Sequence, residues 1–331
     1  MNKQLLTKIF TGRAAALSLA GLAVLTTSAA AAGWPTDKPI RVVVPYSAGG
    51  SGDVAFRTIQ PYLEKALGAT FYVDNKSGAS GNIGATEVAR APADGYTLLL
   101  GATNNYVMNQ FLFRMSFDPL KDLAPITMVV NSPLVVMVNP ALPVKTFAEF
   151  TAYAKLNPDK VNFGSPGPGT APHLGGVLFS SRTGAPLTHV PYRGASPAVQ
   201  GLVAGDIQAM FVTADSTSGY VLNGRLRALA IMGPTRLAPL PDTPSVTELG
   251  MPDLKVGNWW GLSAPAKTDP TVIKKLAAAI QGALRQPPVV EQLAKLGTTT
   301  VGNSPADFAA QLAREATVWR TVIETAKIKL E

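Results

Sequence analysis

Residues Lys38 to Leu67, reading KPIRVVVPYSAGGSGDVAFRTIQPYLEKAL, constrain this chain more than any other stretch. Ile40 to Val44 is apolar and β-branched with no charge after Arg41, a composition that suits a parallel strand covered on both faces. Pro45 ends the ladder. The loop Tyr46-Ser47-Ala48-Gly49-Gly50-Ser51-Gly52 follows, and its glycines let backbone N–H groups approach a ligand without a Cβ in the way. A helix is predicted from Val54 onward. Its free N–H groups and the positive end of its dipole would then face the loop, a place that favours an anion.

The remaining sequence repeats this alternation. Thr70 to Val73 is predicted as a strand, Asp74 to Asn82 as a polar loop, Ile83 to Ala91 as a helix, and Tyr96 to Gly101 as a strand ending in the polar Ala102-Thr103-Asn104-Asn105. Strand–helix alternation implies a parallel, doubly wound α/β sheet, in which ligands bind outside the carboxyl ends of strands. Ile126 to Val130 and Leu134 to Val138 read as two strands separated by Asn131-Ser132-Pro133, where the chain passes to a second domain. Thr146 opens a helix with Glu149 three residues on, the spacing of a capping box. Val161 to Gly164 then leads into a second glycine loop, Ser165-Pro166-Gly167-Pro168-Gly169-Thr170, and a helix from Ala171 to Ser181. Thr170 is the expected N-cap, and Pro172 is acceptable because it falls in the first turn. The proline-rich Pro234 to Pro244 returns the chain to the first domain, and two amphipathic helices, Pro270 to Leu284 and Pro305 to Ile323, close it.

Of 331 residues, 47% are hydrophobic and 15% charged, enough apolar material for two covered cores. Lys3, Lys8 and Arg13 precede the apolar run Ala14 to Leu25 and the small residues Ser28 to Ala32, the layout of a cleaved secretory signal peptide over residues 1–32. Its apolar run is too short to span a bilayer. The chain has no cysteine, so an exported product would carry neither a disulfide nor a thiolate nucleophile, nor a lipid anchor at the cleavage site. Residues 1–32 hold three positive and no negative charges, which leaves +5 of the formal +8 on the mature chain. No run of Lys and Arg interleaved with aromatics appears, so no nucleic-acid partner is expected.

Six separated blocks, KPIRVVVPYSAGGSGDVAFR, VDNKSGASGNIGATEVARAPADGYTLLLG, FGSPGPGTAPHL, VPYRGASPAVQGLVAGDIQAMF, GRLRALAI and NWWGLSAPAKTDPTVIKKL, resemble in order and spacing the substrate-binding receptors of tripartite tricarboxylate transporters, the Bug proteins. The resemblance covers nearly the whole mature chain. It implies an α/β, two-lobed periplasmic binding protein of type 2-like fold, each lobe a mainly parallel sheet flanked by helices with a hinge between. Residues 33–131 with 235–331 would form one lobe and residues 132–234 the other. It further implies a small organic acid held between the lobes, membrane permease subunits as partners, no enzymatic step, no cofactor and no metal, in a periplasmic monomer. By position, Tyr46, Ser47, Ala48, Gly49 and Gly50 would hold a carboxylate from one lobe, and Ser165, Gly167, Gly169 and Thr170 with His173 from the other. Asp53, Thr103, Asn104 and Asp215 complete the expected site. Val212-Thr213 and Asn104-Asn105 depart from the residues commoner in the family, at positions facing the far end of the ligand.

Bland roles stand beside these. Asp53 is expected to cap its helix, or else to accept from a ligand amino group; Asp215 to cap a turn or meet a cationic group; Arg193 to brace a loop or pair with a carboxylate. His173, in a helix first turn, should be neutral and donate one hydrogen bond, and His189 should be structural. Trp259 and Trp260 are expected to pack in the core or hinge, with one of them walling the cleft as the alternative. Two enzyme readings compete. Gly50-Ser51-Gly52-Asp53-Val54-Ala55 fits the dinucleotide pattern G-x-G-x-x-A, with Asp74 near the ribose-binding distance, but the signal peptide sends the chain away from reduced nicotinamide. A hydrolase lacks support because neither G-x-S-x-G nor H-E-x-x-H occurs.

Overall fold

The computed structural model describes residues 33–325 and residue 328, and the expected signal segment, residues 1–32, lies outside them. Every element below lies in Pro35–Glu331. The chain begins β1 (Ile40–Val44), α1 (Ser51–Leu67), β2 (Phe71–Asn75), α2 (Asn82–Ala89), β3 (Thr97–Ala102) and the short α3 (Thr103–Val107). A 16-residue strand, β4 (Leu123–Val138), leads to α4 (Phe147–Leu156), β5 (Asn162–Ser165), α5 (Ala171–Thr183), β6 (Thr188–Pro191), α6 (Ala195–Ala204), β7 (Ala209–Thr213), the short α7 (Ser218–Leu222) and β8 (Arg227–Ile231). The chain ends with β9 (Gly257–Pro265), α8 (Pro270–Leu284), α9 (Pro287–Lys295), β10 (Thr299–Thr300) and α10 (Pro305–Thr325).

These strands join in one ten-stranded sheet ordered β2-β1-β3-β9-β4-β7-β5-β6, with β8 and β10 also paired to β4. At one end β1 lies parallel between β2 and β3; at the other β5 lies parallel between β6 and β7. The doubly wound pattern read from the sequence is therefore present at each end, and antiparallel pairings of β9 and β4 connect the ends. The two runs read as separate strands around Asn131-Ser132-Pro133 form one continuous strand instead. Pro133 lacks an N–H, yet it falls between the stretch paired to β10 (Val130 and Asn131) and the stretch paired to β7 (from Leu134), so the missing donor costs no ladder bond on that side.

Apolar spacing decides which faces are covered. On α1, Ala55, Phe56, Ile59 and Leu63 recur at three to four residues and are buried, and Gly68, with φ 64°, ends the helix in the left-handed conformation. A second core packs Phe147, Phe150, Phe163, Phe179 and Phe211 around β4, β5 and β7. The capping box expected at α4 is there: Glu149 N donates to Thr146 Oγ1 at 3.1 Å, while Glu149 Oε2 reaches back to Lys145 N at 2.6 Å. Among the described residues no helix is long and apolar enough to cross a membrane.

Candidate functional site

The loop after β1 is held by a residue three positions inside α1. The helix begins at Ser51, earlier than the sequence indicated, with Gly50 at the N-cap and no side-chain cap there. Asp53 does not cap the helix; its Oδ2 accepts from Gly49 N at 3.0 Å and from Arg57 Nε at 3.0 Å. This is the backward reach that Glu149 makes in α4, and it fixes Gly49 at φ 79°, where a side chain would be strained. Asp53 is only 3% exposed, and burial alone would raise its pKa. The hydrogen bonds from Arg57 and Gly49 N outweigh that and hold the carboxyl below its ordinary value, so it is ionised. Its other oxygen, Oδ1, is buried without a hydrogen-bond partner.

Gly52 lets Trp260 of β9 lie against the first turn of α1, because a Cβ there would sit 2.3 Å from the indole Cε3. The Trp260 ring meets Tyr46 edge to face, with centroids 5.5 Å apart. Its Nε1 is buried and also without a partner.

The second glycine loop, between β5 and α5, is tied together by its own side chains. Thr170 sits at the N-cap but does not cap; its hydroxyl donates to Gly167 O at 2.7 Å. Gly167 N donates to Ser165 Oγ at 3.1 Å, and Ser165 Oγ lies 2.7 Å from His189 Nε2. Gly169 N donates to His173 Nδ1 at 3.0 Å, which puts the ring proton of neutral His173 on Nε2. The two imidazoles lie against each other with centroids 4.1 Å apart and planes inclined by 31°. Burial, helped at His173 by the neighbouring His189, lowers their pKa values to about 3 and about 4, so both are neutral near pH 7.

A third loop faces the second. Ala79, Ser80 and Gly81 have φ of 46°, 54° and 87°, a left-handed turn that only the glycine adopts at little cost. Four donors converge on the Ser80 carbonyl: Asn104 Nδ2 at 2.9 Å, Asn105 Nδ2 at 3.2 Å, Asn109 Nδ2 at 3.1 Å and Tyr46 Oη at 3.1 Å, whose one proton is shared with Asn104 Oδ1 at 2.8 Å. The Ser80 hydroxyl donates to Pro168 O at 2.6 Å, and Ser51 Oγ lies 3.2 Å from Thr213 Oγ1. The two hydroxyl contacts join the β1–β3 end of the sheet to the β5–β7 end.

Between these loops lies a cleft enclosing about 570 Å³ of space, part of it continuous with solvent. Of the expected site residues, Tyr46, Ser47, Gly50, Asp53, Asn104 and Thr170 line it. Ala48 and Gly49 belong to the same loop but do not line it, and neither do Ser165, Gly167, Gly169 and His173, which sit behind Pro166, Thr170 and Pro172. Thr103 is spent on β9: its hydroxyl accepts from Trp259 N at 2.9 Å and lies 3.2 Å from Trp259 O. Asp215, whose carboxyl burial pushes up, accepts from Ser216 N and is represented in the lining by its neighbours Val212 and Thr213. Asn258 and Trp260, contributed by β9, and Ala195 at the start of α6 line the cleft without any local signal in the glycine loops. Among the described residues, Asp53 is the one lining side chain with a charge at neutral pH; the rest of the described wall offers hydroxyls, amides, backbone and apolar surface.

A fold of paired parallel units with a cleft between loops at their strand ends defines a solute-binding protein of the two-lobed α/β periplasmic type. Residues 55–328 match the family model described as tripartite tricarboxylate transporter family receptor, and the chain belongs to that family. It is similar to the periplasmic binding protein BugD (30% identity, TM-score 0.84, covering 89% of this chain and 99% of that one). It is also similar to Rpa4515 of R. palustris, solved with adipate (31%, 0.86, 89% and 99%), and to MatC of Rhodopseudomonas palustris, solved with bound malate (30%, 0.82, 87% and 99%).

Proposed function

We propose that this protein is an extracytoplasmic receptor that captures a small carboxylate between two lobes and delivers it to a tripartite tricarboxylate-type permease. Residues 33–131 with 235–331 form one lobe and residues 132–234 the other, and residues 1–32 direct export. The observation that carries the reading is one cleft lined by the starts of both α1 and α5, through Gly50, Ser51, Thr170 and Pro172. Free N–H groups at two helix starts favour an anion, and similarity to receptors solved with adipate and malate points to a carboxylate. Each charge-assisted hydrogen bond contributes about 1.5–3 kcal/mol, so a few of them, less the ordering cost, reach about −8 kcal/mol, or micromolar affinity. No covalent step is involved. Closure follows binding because only the closed form lets both loops touch the ligand.

The test is to denature natively purified protein, identify released small molecules by mass spectrometry, and measure thermal shifts against carboxylic acids and NAD analogues. A released acid that also raises the melting temperature supports the reading. Stabilisation by NAD analogues and by no acid overturns it.

A further inference from the structure

Two buried polar atoms in the wall of the cleft have no partner in the protein, and they are of opposite kinds. Asp53 Oδ1 can only accept a hydrogen bond, and Trp260 Nε1 can only donate one. Their residues are 3% and 5% exposed. The Asn75 amide, which also favours the ionised Asp53, gives one of its two N–H groups to Tyr46 O at 3.1 Å. Arg57 and Gly49 N are both spent on Oδ2, and Arg57 is 54% exposed. Among the described residues no Lys, Arg or His lines the cleft.

We propose that the acid recognised here carries a hydrogen-bond donor, a hydroxyl or an ammonium, close to a carboxylate, and that Asp53 and Trp260 select this pair. The inference rests on the carboxylate reading above and names the subclass of acid. A plain carboxylate supplies acceptors only: it satisfies Trp260 Nε1 but sets its own negative oxygens against Asp53 Oδ1 with no cation between. A hydroxy or amino acid supplies both. Its carboxylate accepts from the indole N–H, and its hydroxyl or ammonium donates to the carboxylate oxygen, a charge-assisted bond. Asp53 is then a specificity-determining residue as well as the anchor of the first loop.

The experiment compares matched acids by titration calorimetry: propionate, lactate and alanine; succinate, malate and aspartate; phenylacetate, mandelate and phenylglycine. In any set that binds, the hydroxy or amino member should bind at least roughly tenfold tighter than the plain acid. Asp53→Asn should reverse the preference. Gly49 N needs an acceptor, so the Asn oxygen must face it, which leaves the NH₂ as a donor where Oδ1 stood. Trp260→Phe keeps the ring against Gly52 and Tyr46 and should weaken all members of a set by a similar factor. Melting curves establish that each variant is folded; should Asp53→Asn not fold, the wild-type ratios decide alone. Plain acids that match or exceed their hydroxy and amino counterparts overturn the inference and leave the carboxylate reading standing. Binding of no acid in any set overturns both.

Discussion

Replacing Ser80 by Ala and by Gly separates two contributions that this residue makes. The hydroxyl bond to Pro168 O, 2.6 Å long, joins segments at opposite ends of the sheet, and such a bond contributes about 1 kcal/mol net. The backbone at φ 54° costs a residue with a Cβ about 1 kcal/mol or more, a cost sustained by the four donors on the Ser80 carbonyl. Both variants lose the bond, but only Gly relieves the strain. In calorimetric titration with a confirmed ligand, both should therefore bind about fivefold more weakly, since 1 kcal/mol is a factor of about five. In urea unfolding of the free protein, Ser80→Gly should be more stable than Ser80→Ala by about 1 kcal/mol. Unchanged affinity in both variants would show that the bond does not act across the closing cleft. Equal stabilities would show that the turn is not held under strain.

Gly52→Ala gains helix propensity yet forces a Cβ to 2.3 Å from the Trp260 ring, so it should destabilise by about 1–3 kcal/mol in urea melts and weaken ligand binding; a stabilised variant with native affinity refutes the close packing. His173 and His189 are held neutral by burial, so above pH 6.5 neither affects stability, and below it the unfolded chain takes up protons that the folded chain refuses until about pH 4 for His189 and about pH 3 for His173. Stability should therefore fall on acidification through this window, by at most about 1.4 kcal/mol per pH unit for each proton. His173→Asn, which retains an acceptor for Gly169 N, should shrink the loss measured by urea unfolding at pH 7 and pH 5. Asp269 accepts from Thr271 N at 2.7 Å at the start of α8, away from the cleft lining; Asp269→Ala should lower stability by about 1 kcal/mol and leave ligand affinity unchanged.

The strands and helices that line up with the sequence are those whose signal is local. Ile40–Val44 is a β-branched run closed by Pro45, and Thr146 with Glu149 carries its helix start in four residues. The two glycine loops are legible for the same reason, and both contribute to one cleft. Side-chain duties were not legible, because loop residues choose partners by tertiary geometry. Ser165, Thr170 and His173 bond within their own loop, Ser165 also meets His189 of β6, and Thr103 bonds to Trp259, 156 residues away. That one of Trp259 and Trp260 walls the cleft could be offered from sequence, but that it is Trp260 shows only once Gly52 is seen to make room for its ring. Asn131-Ser132-Pro133 looks like a break because a proline interrupts the run, whereas the strand changes neighbours there without ending.

Strand β4 couples the two ends of the sheet mechanically. Leu123 to Pro133 pair with β9, and Leu134 to Val138 pair with β7, so any relative rotation of the ends must be absorbed as torsion along one extended backbone. Its register slips between Pro125 and Thr127, between Met128 and Val130, and on the β8 side between Val136 and Met137, and these irregular steps are where twist can accumulate at least cost. Under the closure proposed above, a connection of this kind would act as a torsion spring rather than a free joint, limiting how far the two ends swing apart.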